Sequence, residues 1–190
     1  MPRAGIGPER ITRAAAAICD QDGAAAVTVA RLAADLGVAA PSLYKHVAGR
    51  DEVMARVAAE ATRMLADTLL DAVAGRSGFD ALERLAWAYR RFSSEHPGLY
   101  RLSQTAVPAG EGARQAEAGR AVDVVAAALA GYGLPDESMI DAIRLTRSAL
   151  HGFADLECQG GFGLPHSRDD SFRVLVAALD TALRGLAAGS

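Results

Sequence analysis

Apolar residues recur every three or four positions along almost the whole chain, and no long stretch alternates with a period of two. This is the pattern of packed amphipathic helices, not of a sheet. Pro8 opens a first helix reaching about residue 22, with Ile11, Ala14, Ala15 and Ile18 on one face and Cys19 beside them. Gly23 ends it. A second helix over 29–36 places Val29, Leu32, Ala33 and Leu36 at i, i+3, i+4 and i+7. Thr28 is its natural N-cap, and Gly37 stands where a chain leaving a helix commonly takes positive φ. A third helix fits 40–47, with Pro41 tolerated in the first turn because its missing N–H would be unpaired there anyway.

From residue 51 to 74 there is no breaker. Val53, Val57, Ala61, Met64, Thr68 and Ala72 trace one apolar-leaning face, and Asp51 and Glu52 suit the positive end of the helix dipole. After a Gly-Arg-Ser-Gly break, a helix over 79–95 carries Leu82, Leu85, Trp87, Tyr89 and Phe92. His96-Pro97-Gly98 then turns the chain into a short helix. A loop at 108–112 precedes a helix over 113–130 with Val122, Val125 and Leu129. Another helix, over 136–158, holds Met139, Ile143, Thr146, Leu150 and Phe153 on one face. The glycines and proline of 159–169 mark a loop. The last helix, over 170–186, carries Phe172, Leu175, Val176, Leu179, Leu183 and Leu186. The expectation is an all-α fold of about nine helices: a three-helix unit in 1–50, linked through the helix over 51–74 to a helical body in 51–190.

The stretch 28–50 carries the chemistry. A short helix, a glycine turn and a second short helix are the parts of a helix-turn-helix. At about 100° per residue, Leu43 and Val47 fall on the side that packs inward. Lys45 and Pro41 point away, Ser42 lies close by, and Tyr44 and His46 sit on the flanks. Short or cationic groups toward base edges, with hydrogen-bonding groups toward the phosphate walls, suit a recognition helix in a major groove. Thr28 and Ala40 open helices whose N–H groups can receive phosphate. Arg50, opening the next helix, can supply one more phosphate contact. The competing reading is an ordinary amphipathic helix pair inside an all-helical core.

The segments T-V-x-x-L-A-x-x-L-G-V over 28–38 and P-S-L-Y-K-H-V over 41–47 resemble the N-terminal domain of the tetracycline-repressor (TetR) family of bacterial transcription regulators. The resemblance implies DNA contacts at Thr28, Pro41, Ser42, Tyr44, His46 and Arg50; the family usually has lysine at the last of these. It also implies a homodimer bound to double-stranded DNA at an inverted-repeat operator, and release by a small-molecule effector. The His-Pro-Gly-Leu-Tyr run at 96–100 is similar to the regulatory domains of one subgroup.

Composition narrows this picture without changing it. Alanine and leucine dominate the apolar share and aromatics are only 5%, which favours helix. Residues 1–50 carry six Lys+Arg against four Asp+Glu, and the remainder fourteen against nineteen. A mildly basic head on an acidic body suits a small DNA-binding module attached to something else. A net charge of −3 argues against indiscriminate coating of nucleic acid. Cys19 and Cys158 have no CxxC partner or metal-ligand cluster nearby, so no disulfide framework is implied. The first ten residues lack a signal peptide's apolar run, and no window matches a membrane span. A cytoplasmic location is the expectation. Arg3 lies in a short arm over 1–7 of the kind that some regulators place in the minor groove, but a frayed terminus is the better reading here.

A helical body joined to a DNA head suggests a ligand-controlled switch. The candidate effector contacts are Trp87, Phe92, Tyr100, Arg147, His151 and Phe153, with Leu99, Leu102 and Val125 as further apolar lining. Arg147 and His151 stand i and i+4 on one helix; an ion pair for the first and a hydrogen-bonded interface position for the second are the plainer alternatives. The last two helices carry more apolar surface than one subunit easily hides, and a four-helix bundle with a second copy would cover it. Enzyme chemistry has little to stand on. His151 and Asp155 have metal-ligand spacing, but a third ligand would have to come from Glu157, His96 or His166 outside any motif, and no G-x-S-x-G, P-loop or paired catalytic carboxylates occur. No cofactor is called for. The alternative to a regulator is a helical small-molecule-binding or sequestering protein on the same scaffold, without regulation through DNA.

Overall fold

The computed structural model describes residues 6–107 and 110–188. The part of the N-terminal arm that holds Arg3, and Pro108 in the expected loop, lie outside them. Among the described residues the chain forms nine α-helices and no strand: α1 (Pro8–Asp22), α2 (Val29–Leu36), α3 (Ala40–Leu43), α4 (Arg50–Val73), α5 (Gly78–Glu95), α6 (Pro97–Ser103), α7 (Gly112–Leu129), α8 (Asp136–Cys158) and α9 (Arg168–Ala188). Two 3-10 turns, Ala24–Ala26 and Ala130–Tyr132, complete the set. The helices divide into two compact units, Met1–Met64 with His96–Glu117, and Leu65–Glu95 with Ala118–Ser190.

The first unit is built on Ile11, Ala15, Ile18, Val27, Leu32, Leu43, Val47, Val53, Val57 and Leu99, all buried. Local chemistry sets its turns. Thr28 Oγ1 accepts the Arg31 N–H at 3.1 Å, as an N-cap does. Gly37 sits at φ 68°, and the Val38 N–H reaches back to the Ala33 carbonyl at 2.9 Å, closing α2 with a Schellman-type end. α6 docks on the end of α1 so closely that a Cβ on Gly98 would lie 2.0 Å from the Cys19 carbonyl oxygen. The Asp20 carboxylate fixes the approach, accepting the Leu99 N–H at 2.9 Å and meeting His96 Nδ1 at 2.8 Å.

Two expectations from periodicity need correction. The third helix stops at Leu43 instead of continuing to 47: the His46 N–H bonds to the Leu43 carbonyl at 2.9 Å, three residues back instead of four, in a tighter turn that the Val47 N–H closes on the same carbonyl at 3.1 Å. A tight turn buries Leu43 and Val47 as well as a helix would, so apolar spacing alone does not tell them apart. In the second half of α4 the large buried side chains are Leu65, Leu69 and Val73, with Ala66 buried beside them and Met64, Thr68 and Ala72 only half-buried. Steps of four residues overshoot a 3.6-residue turn by about 40° each, so the buried stripe winds around the helix instead of staying on one face.

The second unit packs α5 against α8 and α9 around Leu82, Leu85, Phe92, Leu150, Phe172, Val176 and Leu183. At its centre the Arg90 guanidinium, with 11% of the side chain exposed, donates from Nε and Nη2 to Glu157 at 2.7 and 2.6 Å, and its Nη1 lies 2.9 Å from Asp169. The rings of Trp87, Phe153 and Phe172 surround it at 4.9 to 5.4 Å from their centroids. Phe162, from the loop between α8 and α9, packs at a tilt on Phe153 with ring centroids 4.7 Å apart. A Cβ on Gly131 would meet the Gly78 nitrogen at 2.4 Å, so this contact between the second 3-10 turn and α5 requires glycine.

Candidate nucleic-acid interface

The helix-turn-helix presents its polar residues as a set. Leu43 and Val47 are buried and anchor the α3 segment to the core behind it. On the other side Pro41, Tyr44 and Lys45 are exposed, Tyr44 by 58%, while Ser42 and His46 are half-buried beside them. Because α3 is a single turn, Tyr44, Lys45 and His46 are displayed on the tight turn that follows it. Thr28 is exposed at the head of α2; its hydroxyl oxygen serves the cap, leaving its proton to donate outward. Lys45 is the single lysine of the chain.

Arg50 has partners that its charge alone does not signal. It is exposed at the first residue of α4, yet its Nε donates to the Val27 carbonyl at 2.8 Å and its Nη2 to the Ala24 carbonyl at 2.9 Å. Nothing in its sequence surroundings signals partners 23 and 26 residues away. Glu52 braces the same helix start: one carboxylate oxygen accepts the Ala48 N–H at 2.6 Å and the other pairs with Arg56. These hydrogen bonds, from the Ala48 backbone first, hold the Glu52 carboxyl below its ordinary range. Arg31 is likewise engaged, bridging Asp22 and Asp35 at 3.1 and 3.2 Å.

The residues proposed for effector contact fall in different surroundings. Tyr100 is fully buried in the first unit, with Leu99 beside it in the chain. Within the second unit Phe92 is buried, and Trp87 and Phe153 both pack on Phe172 with ring centroids 4.9 Å apart. On α8 Arg147 is exposed and His151 half-buried, each engaged with a neighbour. Val125 is half-buried on α7. Two features escaped the sequence reading. One is Arg90, whose aromatic surroundings come from three different helices. The other is the hydroxyl of Thr146, a residue expected only as part of the apolar face of α8: it is 1% exposed and its oxygen has no hydrogen-bond partner among the described residues. No group of three or more His, Cys, Asp or Glu side chains among the described residues is arranged to hold a metal ion. No described helix is long and apolar enough to cross a membrane.

Comparison with known proteins agrees with this geometry. Residues 11–61 match the family model of bacterial regulatory proteins of the tetR family, and residues 82–179 match the tetracyclin repressor-like C-terminal domain. The chain is 33% identical over 186 residues to YobS, an uncharacterised HTH-type transcriptional regulator of Bacillus subtilis, covering 97% of this chain and 95% of that one. Among solved structures, a protein of unknown function from a Rhodococcus species superposes with a TM-score of 0.78 at 23% identity, over 98% of this chain and 99% of the other. ActR of Streptomyces coelicolor, in complex with actinorhodin, gives 0.68 at 20% identity over 99% and 100%. These last two establish likeness of fold. With both halves matched and a relative aligned over nearly its full length, the chain belongs to the tetR family and is a transcriptional regulator with a DNA-binding domain.

Proposed function

We propose that this regulator is a ligand-released repressor that binds an inverted-repeat operator as a homodimer. The observation that carries the reading is the exposure of Thr28, Pro41, Tyr44 and Lys45, with Ser42 and His46 half-buried, on a helix-turn-helix whose Leu43 and Val47 are buried. Tyr44, His46 and Thr28 fix register on phosphates, while Pro41, Ser42 and Lys45 face base edges. Two such heads in successive major grooves lie about 34–36 Å apart, or a multiple of it.

Dimerisation is supported by apolar side chains left exposed on α8 and α9, namely Ile140, Leu145, Leu156 and Val174. Stacking these helices on those of a second copy covers them in a four-helix bundle. For the effector, the support is a second unit rich in aromatic residues and the orphan hydroxyl of Thr146, since buried polar groups normally have partners. ActR, which shares the fold, is known in complex with actinorhodin. A partly apolar small molecule touching Trp87, Phe92 or Phe153, with Arg147 and His151 as polar contacts, fits this chemistry. It acts by binding better to the state with its heads out of register, so the population shifts away from DNA. The location that fits such a regulator is the cytoplasm.

The test is a binding selection from random duplexes with purified protein at two salt concentrations. Enrichment of an inverted repeat that binds more weakly as salt rises supports the reading. A folded dimer that enriches nothing, even at low salt and after refolding to strip any bound ligand, refutes it.

A further inference from the structure

We propose that Arg50 serves the DNA-binding surface as a positioning residue, acting through Thr28, and is not itself a phosphate ligand. The inference rests on the DNA-binding reading above. Its basis is where the guanidinium goes. A cation at the first residue of a helix beside a helix-turn-helix is well placed to meet a phosphate, but here one edge of the group is spent inward. Nε takes the Val27 carbonyl at 2.8 Å and Nη2 the Ala24 carbonyl at 2.9 Å. Both acceptors belong to the connection that leads into α2.

The Val27 carbonyl is part of the peptide plane that delivers the Thr28 nitrogen. Holding it fixes the direction in which the chain enters Thr28, whose extended conformation (φ −121°, ψ 154°) and cap to Arg31 then aim its hydroxyl. Val27 is fully buried, so the inner side of this connection is set by the core. Its outer side is set by Arg50. The side chain thus ties the first turn of α4 to the connection that enters the head of α2. A guanidinium suits the task because its planar edge offers two parallel donors to two carbonyls; an ammonium is a single point charge and cannot reproduce that fork. A lysine here would be released toward solvent and phosphate.

The two roles differ in salt dependence and in coupling. A phosphate contact contributes about 0.9 to the slope of log affinity against log salt, so losing one on each of two heads lowers it by about 1.8. A positioning residue weakens binding without removing a counterion-releasing contact, and its effect depends on Thr28 being present. The proteins to compare are the wild type, Arg50→Lys, Arg50→Gln, Thr28→Ala and the Arg50→Gln/Thr28→Ala double variant. The probe is a fluorescein-labelled duplex carrying the repeat enriched in the selection, read by anisotropy over a salt series, with the active fraction counted by stoichiometric titration.

The expected result is that Lys and Gln at position 50 both weaken binding roughly tenfold, a loss of the size seen between residues of one network. The slope stays at the wild-type value, and the Gln substitution costs less than about threefold once Thr28 is already alanine. Three results overturn the proposal: full binding by Arg50→Lys with a slope reduced in Arg50→Gln, additive losses in the double variant, or a lower active fraction with unchanged affinity of the active molecules. A wild-type protein that binds no duplex at low salt removes the DNA-binding reading and this inference with it. The other outcomes bear on Arg50 alone.

Discussion

Replacing Arg90 by alanine should cost the second unit about 3 kcal/mol. Breaking a buried ion pair by removing one partner costs about 3–5 kcal/mol, because the remaining charge is left uncompensated. Glu157 keeps only 16% of its side chain exposed, so its carboxylate would stay largely out of water after losing two donors at 2.6 and 2.7 Å. Asp169 is 57% exposed and would simply return to solvent, which places the cost at the lower end of that range. The hydrocarbon stem and the stacking on Trp87, Phe153 and Phe172 are lost too. Trp87 is the single tryptophan of the chain and lies against this node, so urea unfolding followed by its fluorescence reports on the right place. In thermal unfolding the same loss corresponds to roughly 6–12 °C at 2–4 °C per kcal/mol. A double variant, Arg90→Met with Glu157→Leu, should recover most of it, since well-packed apolar replacements of a buried pair are often neutral. A loss under about 1 kcal/mol for Arg90→Ala, or a double variant as weak as the single one, would falsify the account of this node as a buried charge held by its partners.

Three other outcomes follow from the geometry. Gly98→Ala should destabilise by about 3 kcal/mol or more, at or beyond the top of the usual overpacking range, because the new Cβ meets backbone atoms of Cys19 and Asp20 that cannot swing aside; denaturant unfolding with a normal midpoint would contradict this. Tyr44→Ala should weaken binding to all duplexes, while Lys45→Ala chiefly alters sequence preference; both should leave stability within about 0.5 kcal/mol, as exposed positions do. Burial first, then the 2.7 Å hydrogen bond to Asp180, push the Tyr132 phenol pKa upward in the folded state. The sign is that of a raised group: its contribution is complete below the unfolded tyrosine value of about 10 and is lost as pH climbs above it. Stability measured from pH 9 to 11 should therefore fall more steeply in the wild type than in Tyr132→Phe, and parallel curves would refute the assignment.

What the sequence disclosed was local, and what it concealed was mostly long-range. Thr28, Gly37 and Gly23 act within a few residues of themselves, so the ends of α1 and α2 were legible from caps and glycines alone. Thr28 does cap α2, and Leu43 and Val47 are the buried pair behind the polar face. The extent of α3 was not legible, because i and i+4 burial is satisfied equally by a helix and by a helix ending in a tight turn. The hydrogen bonds of Arg50 to backbone and the whole node around Arg90 were not legible for another reason. Their partners lie at least 23 residues away along the chain, and an arginine in an amphipathic pattern reads as surface unless the fold brings carbonyls or carboxylates to it. The rotation of the buried stripe along α4 was present in the sequence as an unbroken series of i+4 steps through Leu65, Leu69 and Val73, but a search for one fixed face passes over it.

The shortness of α3 bears on how the proposed operator is read. A recognition element of four helical residues and a turn offers few side chains long enough to make bidentate contacts with bases. Lys45 can address a guanine through O6 and N7. Ser42 bonds to several bases without distinguishing them sharply, and Pro41 can meet only a thymine methyl. Arg31 is held between Asp22 and Asp35, and Arg50 by the carbonyls of Ala24 and Val27, so neither adds a guanidinium fork to the readout in this arrangement. One half-site therefore carries little discrimination by direct contact. In the proposed dimer, specificity then has to come from two heads held at fixed separation, and from the cost of fitting the intervening DNA to that separation. On this argument, changing the spacer between half-sites by one or two base pairs should weaken binding more than any single base change within a half-site. Such a single change typically costs about 1–3 kcal/mol. Measured with spacer variants of the selected duplex, the opposite order would mean that α3 reads bases more fully than a single helical turn suggests.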